Sequence, residues 1–436
     1  MTQGLNSGAD LTTRLADAIL EWPEGKAAIQ GTPFEQIARS CGTPFYLYDA
    51  DVMVQQVQRL RRALPPGIDI YYSVKANPHP AVIEVFLQQG CGCEIASGGE
   101  YALARKAGAA PEKIVFAGPG KGQEELDFVV SQGIGEIHLE SFEEIETLER
   151  IGENRNQTIA VAVRVNPSAG LGSGLLMGGQ PTAFGFEEES LTPVVKKIRE
   201  TKHLDLRGVH VYTGTQILDA EALLAHWQQA VEIAARVAEL TGKPVSTVDF
   251  GGGLGIPYFA HEKELDVEAV EHGAVQIIDT AKRDPRLANC RFLIEPGRFL
   301  VGPAGVYVAA VRSVKTSRGT TFVVLDGGMN HHLAASGNLG QVVRRDYPIV
   351  NLSRKRAESD ETVSIVGPLC TPIDTLGRKV KLPLPRAGDL IGILQSGAYG
   401  LSSSPAAFLS HPSPAEVMMK DGKFEVITPR RRTFGV

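Results

Sequence analysis

One alternation constrains this chain more than any other feature. Short β-prone runs recur, each ending in small or polar residues: "YYSVKA" from Tyr71, "CEIAS" from Cys93, "KIVFAG" from Lys113 and "GEIHLES" from Gly135. They continue with "VAVRVNP" from Val161, "GVHVY" from Gly208, "TVDFGGG" from Thr247 and "RFLIEPG" from Arg291. Segments with helical apolar spacing lie between them, among them "AVIEVFLQQG", "GEYALARKAG", "QEELDFVVSQG", "FEEIETLERIG" and "AEALLAHWQQAVEIAARVAELTG". Several of these close on glycine, as a helix C-cap does. Eight strand-helix repeats are the number that closes a (β/α)8 barrel. An open doubly wound sheet also alternates strand with helix, but eight units before any change of pattern favour closure.

The pattern changes after Arg298. "VYVAAVRSVKT", "TTFVVLDGG", "TVSIVGPLC", "DLIGILQSGAY" and "KFEVIT" are strands with turns and few helices between them. The expected division is an α/β barrel over residues 46–298 and a β-rich barrel or sandwich domain built from residues 1–45 plus 299–436. A chain of 436 residues, 43% apolar, is long enough for two such cores. The Gly-rich stretch from Asn166 to Phe186 reads as a mobile lid or a disordered insert.

Composition excludes several roles. A net charge of -6 without a long basic run argues against nucleic acid or an anionic membrane as partner. No apolar stretch reaches the roughly 18 residues of a membrane span. The N-terminal stretch "MTQGLNSGADLTTRLADAILEWPEGK" lacks the basic-then-apolar order of a secretory signal. The five cysteines, Cys41, Cys91, Cys93, Cys290 and Cys370, are odd in number and scattered, which points to reduced thiols in a cytoplasm. Cys91-Gly-Cys93 and His331-His332 lack a second ligand pair at metal-site spacing, so no metal is expected.

Functional groups of such barrels lie at the C-terminal ends of the strands. Lys75, Glu94, Ser97, His138, Arg164, Asn166, His210, Tyr212, Gly251-Gly252-Gly253, Glu295 and Arg298 fall there. Lys75 stands in an apolar, β-prone run, and a desolvated amine is a reactive one. "DFGGGLG" carries a strand end into glycines whose N–H groups can converge on an anion. It is not a dinucleotide fingerprint, because Ile256 stands where the last glycine would be, and the chain has no Walker A lysine motif. "EPGR", Glu295 to Arg298, adds a cation and another glycine at the next strand end. An amine, an anion nest and a carboxylate at adjoining strand ends fit pyridoxal 5'-phosphate: lysine for a Schiff base, nest and arginine for the phosphate, carboxylate for the ring nitrogen.

With these residues in place, the chain resembles the fold-type III pyridoxal-phosphate decarboxylases, the diaminopimelate and ornithine decarboxylase family, over about residues 40 to 415. "YYSVKANP" resembles the family's lysine motif, with Lys75 as its Schiff-base lysine. "DFGGGLG" matches the phosphate-binding glycines, and "EPGR" matches the acid-arginine motif. "LDGGMNHHL", Leu325 to Leu333, resembles the opening of the substrate motif, and "GPLCTPID", Gly367 to Asp374, the motif whose cysteine reaches the neighbouring subunit's site. "SGAY" matches the tyrosine, here Tyr399, near the cofactor phosphate. The resemblance implies a barrel plus β-domain, a head-to-tail homodimer with shared sites, and α-decarboxylation of an amino acid, with Lys75 and Cys370 as catalytic residues. It implies cofactor contacts from Glu94, Arg164, Tyr212, Thr215, Gly251, Gly252, Gly253, Glu295, Gly297, Arg298 and Tyr399. Its substrate-side candidates are Arg298, Asp326, Arg344, Tyr347, Thr371, Asp374 and Tyr399.

The departures from the family pattern bear on the substrate. The sixth strand usually reads His-x-Gly-Ser, whereas here Tyr212 takes the histidine position and Thr215 that of the serine. Tyrosine stacks on a pyridine ring but carries no imidazolium charge. Thr371, followed by Pro372, stands where diaminopimelate decarboxylases place an acidic residue for the distal ammonium. "HHLAASGNLGQVVRRDYPI" displaces the usual arginine and tyrosine, leaving Arg344, Arg345 and Tyr347 as substitutes. The pattern is closest to decarboxylase-like proteins of exopolysaccharide and exosortase gene neighbourhoods and to relatives acting on carrier-tethered amino acids. The expected partners are therefore a small amino acid, free or carried on a carrier protein, and a second copy of the chain. A racemase on the same barrel and a non-catalytic cofactor-binding regulator are the rival readings.

Overall fold

The structure, a computed structural model, describes residues 10–168, 181–212, 214–341, 343–357 and 360–431, with the backbone of Leu175–Leu176. The middle of the Gly-rich stretch expected to form a lid or insert lies outside the described residues. The chain divides into two compact units: Val54–Ile256 with Lys263–Leu300, and Met1–Met53 with Pro257–Glu262 and Val301–Val436.

The first unit is a closed parallel barrel. Its strands are β1 (Ile68–Ser73), β2 (Gly92–Ile95), β3 (Ile114–Phe116), β4 (Glu136–Leu139), β5 (Ile159–Asn166), β6 (Leu204–Val211), β7 (Thr247–Asp249) and β8 (Arg291–Ile294). Each pairs in parallel with its sequence neighbour, and β8 pairs with β1 to close the ring. All eight β-prone runs of the sequence thus become barrel strands. The helices between them start on side-chain caps, with Ser97, Ser141, Asp219 and Asp266 each accepting a first-turn N–H. Helix Ala220–Thr241 stops at Gly242, whose φ of 69° is the left-handed turn glycine tolerates. The segment "FEEIETLERIG" does not stop at its glycine. Helix Phe142–Arg155 runs through Gly152, where a Cβ would lie 2.4 Å from that of His203, and ends on left-handed Asn156.

Strand side chains alternate between the barrel interior and the helices. Trp227 of helix Ala220–Thr241 stacks on Phe250 at 5.1 Å, and Phe250 on Phe292 at 5.8 Å, sealing the outer layer. Inside the barrel, Tyr71, Val115 and Leu293 form a small apolar plug. The tight filling explains Gly92: a Cβ there would sit 2.4 Å from the Tyr71 ring. The other inward positions, Glu94, Glu136, His138, His210, Thr247, Asp249 and Glu295, are polar yet buried. Such groups must pair with one another or lose the free energy of their hydration.

The second unit is β-rich. Strand Gly305–Ser317 pairs antiparallel with Phe45–Asp49, Leu390–Ile393 and Thr320–Leu325, and Phe45–Asp49 runs parallel to Ala415–Lys420. N-terminal helices Leu11–Ile19 and Phe34–Cys41 lay Ala16, Phe34 and Ile37 into one core with Leu47, Val306, Val308, Val417 and Met419. His331 and His332 are fully buried in this unit. The His332 ring bonds Ser396 at 2.9 Å and the His331 ring bonds Asn330 at 3.1 Å, so both imidazoles serve packing. Among the described residues no helix is long and apolar enough to cross a membrane.

Candidate active site

The lysine sits elsewhere than its apolar surroundings suggest. Strand β1 ends at Ser73, and a single 3-10 turn, Val74–Ala76, carries Lys75 out past the strand end. Its side chain is 45% exposed rather than buried, because the turn aims it at the barrel mouth while Val74 and Ala76 pack inward. The ammonium meets both oxygens of Glu94 at 2.9 Å, and the buried Glu94 also accepts from Ser73 Oγ. Charge pairing, not desolvation alone, therefore governs this amine. The turn after β8 lies directly on the lysine turn: Ser73 N–H donates to Pro296 O at 3.4 Å, and a Cβ on Gly297 would come within 2.8 Å of Ala76 Cβ. Ser97 is not part of this group; it caps helix Gly98–Lys106 by accepting from Glu100 N–H at 3.1 Å.

The seventh strand end forms a nest. Gly251 and Gly253 have φ of 65° and 97°, values that other residues rarely adopt. A Cβ on Gly251 would lie 2.9 Å from the Tyr212 ring, and one on Gly253 would lie 2.6 Å from Gly214 O. The loop is zipped to the segment after β6, which contains Thr215: Ile217 N–H donates to Gly253 O and Gly255 N–H to Ile217 O, each at 2.9 Å. Gly251 N–H donates to Asp249 at 2.8 Å, while the N–H groups of Gly252 and Gly253 bond to no other described residue. Two unshared amide donors in a left-handed bend are the means of holding an anion.

Arg164 is fixed from behind. Its guanidinium pairs with Glu140 at 2.8 Å, Glu140 also accepts from Gly185 N–H at 3.0 Å, and Glu144 pairs with buried Lys121 at 3.0 Å. Its front face covers Phe184 at 4.8 Å and Tyr212 at 5.8 Å. Asn166 donates to Glu187 at 3.0 Å at the β5 rim.

Beneath the mouth lies a group the strand-by-strand reading did not assemble. His138 and His210, expected as separate strand-end groups, meet Nδ1 to Nδ1 at 3.0 Å. His210 Nε2 faces Glu295 at 3.3 Å, and His138 Nε2 faces Glu136 at 3.4 Å and Asp249 at 3.8 Å. Burial drives the His210 imidazole down to about 4. Burial and the neighbouring Glu295 push Asp249 well above the carboxylate range. Burial works the same way on Glu295, but His210, His138 and the Asp249 hydrogen bond outweigh it and hold that carboxyl low. His138, His210, Asp249 and Glu295 have the atom types of a cation site; the two Nδ1 atoms bond each other, while His138 Nε2, His210 Nε2, Asp249 Oδ2 and Glu295 Oε1 make no hydrogen bond among the described residues. The visible signal was a polar residue at every second strand position, in "EIH" and "TVD"; which of them meet was not in it.

The residues singled out in the β-unit fall into two kinds. Asp374 accepts from Met329 N–H at 2.7 Å and Leu369 N–H at 2.8 Å, clipping the loop that carries Cys370 and Thr371. Asp326 accepts from Ala310 N–H at 2.8 Å and Thr43 Oγ1 at 2.6 Å. Both carboxylates hold backbone in place. Tyr347 is buried against Tyr258 at 4.4 Å. Cys370 is exposed, as are Arg344 and Arg345, and Tyr399 is held at a left-handed φ of 53°.

A (β/α)8 barrel with an amine, an amide nest and a buried carboxylate at neighbouring strand ends defines an enzyme of the cofactor-binding barrel class. Sequence comparison narrows the class. Residues 50–302 match the model of the pyridoxal-dependent decarboxylase pyridoxal-binding domain. The chain is 43% identical to an L-glutamyl-[BtrI acyl-carrier protein] decarboxylase of Niallia circulans, covering 88% of this chain and 90% of that one. It is 30% identical to the diaminopimelate decarboxylase of Aquifex aeolicus over 94% of each. The crystal structure of Helicobacter pylori diaminopimelate decarboxylase with L-lysine superposes with a TM-score of 0.83 at 27% identity, covering 92% of this chain and 97% of that one. The chain belongs to the pyridoxal-dependent decarboxylase family and is a carboxy-lyase.

Proposed function

We propose that this decarboxylase uses pyridoxal 5'-phosphate to remove the α-carboxylate of an aminoacyl group, of glutamyl type, that is tethered to a carrier protein. The observation that carries this reading is the 43% identity to a carrier-linked glutamyl decarboxylase, against 30% to a diaminopimelate decarboxylase. Thr371 in place of an acidic residue agrees with it, since a glutamyl side chain has no distal ammonium to bind.

The barrel residues fit the cofactor. The Gly252 and Gly253 N–H groups suit a phosphate, Glu295 Oε1 is buried without a hydrogen-bond partner, and Tyr212 lies against the glycine turn where a ring would stack. Pyridoxal phosphate, when bound, supplies a sink for the electron pair left by departing carbon dioxide. Lys75 is the amine that anchors the cofactor, with Glu94 holding it in place. Glu295 would hold the ring nitrogen, and Gly297, Arg298 and Thr215 would hold the phosphate side. Arg164 braces Tyr212. Cys370 of a second copy, or Lys75, returns a proton to Cα. Arg344 and Arg345 are exposed, lie beyond 4.0 Å of any carboxylate among the described residues, and follow Val343, which is 67% exposed. Exposed cations that carry no ion pair among the described residues, beside apolar surface, suit an acidic carrier.

Carbon dioxide release from glutamyl-loaded carrier protein, free glutamate and diaminopimelate tests the reading. Release from the loaded carrier, lost in Lys75→Ala, is expected. Faster release from diaminopimelate would overturn the substrate, and a retained carboxylate with inverted Cα would overturn the reaction.

A further inference from the structure

We propose that the β-rich unit carries a ligand site of its own, a cleft of about 480 Å3 that takes a small organic anion with an apolar, ring-sized body. The site is independent of the substrate reading and of the barrel. Its lining comes from helix Leu11–Ile19, from Trp22 just beyond it, from strand Ile349–Asn351 with the turn that follows, and from the end of strand Thr375–Leu382.

The inner surface is apolar. Ile349, Val350 and Leu382 are buried, and Trp22 packs on the core that holds Ala16 and Val350 while staying partly exposed. A tryptophan left partly open beside aliphatic side chains is a surface on which a flat ring gains contact. Asn351, the polar residue of the strand, is engaged at both ends: it donates to Pro383 O at 3.1 Å and accepts from Ser353 N–H at 3.0 Å. The cleft is also preformed. Lys355 N–H donates to Gly25 O at 2.7 Å and Ala27 N–H to Leu352 O at 2.8 Å, tying the turn to the segment after Trp22. Arg356 clamps the start of the helix, bonding Asp10 at 2.6 Å and Thr13 Oγ1 at 3.3 Å. A hollow held open by its own bonds loses little to ordering when a ligand enters, and its volume lies within the roughly 300–1,000 Å3 of small-molecule sites.

Charge at the opening selects the ligand. Two lining cations are already neutralised, Arg354 by Asp389 at 2.9 Å and Arg356 by Asp10 at 2.6 Å and Asp360 at 3.0 Å. The other two, Lys355 and Lys381, are exposed and carry no ion pair among the described residues. Asp17 is the one carboxylate of the described lining. Two uncommitted ammonium groups against one carboxylate favour an anion, and an ammonium serves a carboxylate or a phosphate equally well as a point charge. Residues 1–9, "MTQGLNSGA", precede the helix and contain no acid, so the chain's own terminus does not match this opening.

The full-length holoenzyme labelled with 5-fluorotryptophan reads the site directly. The chain has two tryptophans, and Trp227 is fully buried in the barrel unit, so Trp22 alone reports on the cleft. Titration with 2-naphthoate is expected to move the Trp22 fluorine signal and leave that of Trp227 in place, with a Kd of about 1 mM or tighter. The neutral 2-naphthamide, of the same shape, is expected to bind at least about tenfold more weakly, and Lys355→Ala combined with Lys381→Ala to abolish that preference. Both lysines are exposed, so the double variant is expected to keep the wild-type thermal midpoint. Titration with 2-naphthyl phosphate decides the head group: tighter binding than the carboxylate assigns a phosphate, weaker binding a carboxylate, and either supports the site. A Trp22 signal unmoved by both anions would overturn the proposal. So would equal binding of acid and amide, or a preference for the acid that survives the double variant. Binding that appears only after residues 2–9 are deleted would assign the cleft to the chain's own terminus and overturn it as well. Loss of activity toward the loaded carrier leaves these titrations unchanged, so the two readings fail separately.

Discussion

Single side chains here are held by local debts that can be measured. Asp374 satisfies two backbone N–H groups in the loop that carries Cys370. Asp374→Ala leaves both without an acceptor, and urea unfolding is expected to show a loss of about 2–4 kcal/mol. Glu100 stands near the lysine pair, and burial raises its carboxyl to about 6 despite the Ala96 N–H it accepts. A carboxyl raised in the folded state binds its proton more tightly there than when unfolded. Its contribution is therefore present below about pH 4.5 and lost as pH rises through 6. Glu100→Gln is expected to remove that decline, roughly 1–2 kcal/mol between pH 4.5 and 7, in stability curves measured across that range. Lys75 itself was visible in the sequence as a chemically odd residue. Its exposure was not, because the composition of "YYSVKANP" reads as strand while the backbone had already turned at Val74.

At the scale of elements, glycines decide where backbone can approach backbone. Gly253 combines a left-handed φ of 97° with a neighbour 2.6 Å from where a Cβ would lie. Gly253→Ala is expected to weaken pyridoxal phosphate binding by tenfold or more with the barrel still folded, as read by absorbance titration beside circular dichroism. Gly152 gives the opposite lesson about propensity. Alanine gains about 1 kcal/mol in a helix interior, yet its methyl would press on His203. Gly152→Ala is therefore expected to lower the thermal midpoint rather than raise it. The eight strands and their helices were legible because each follows from apolar spacing within about ten residues. The helix end at Asn156 was not, since the packing partner that demands Gly152 lies on the far side of the next strand-helix unit.

For the whole molecule, buried neutral histidines set the acid limit. His210 in the barrel is depressed to about 4, and in the β-rich unit burial depresses His331 to about 4 and His332 to about 3. Groups depressed this way take up protons on unfolding once pH falls below about 6.5, so stability present above that value is lost on acidification. Denaturant unfolding at pH 7 and pH 5 is expected to show both units weakened at pH 5, with the β-rich unit rescued in part by His332→Asn. Charge at the surface has its own test. Arg344→Glu combined with Arg345→Glu is expected to raise KM for the loaded carrier about tenfold with kcat preserved.

The amino-acid sequence by itself determined the barrel, the β-rich second domain, and the motifs of lysine, glycine nest and acid, because periodicity and turn chemistry are local. It also exposed the departures from the family pattern at Tyr212 and Thr371. Only the tertiary structure decided which buried polar groups meet. Glu136, His138, His210, Asp249 and Glu295 come from four strand segments spread over more than a hundred residues, and their pairing depends on strand register around a closed ring. Register is a property of the whole barrel, and no single segment contains it.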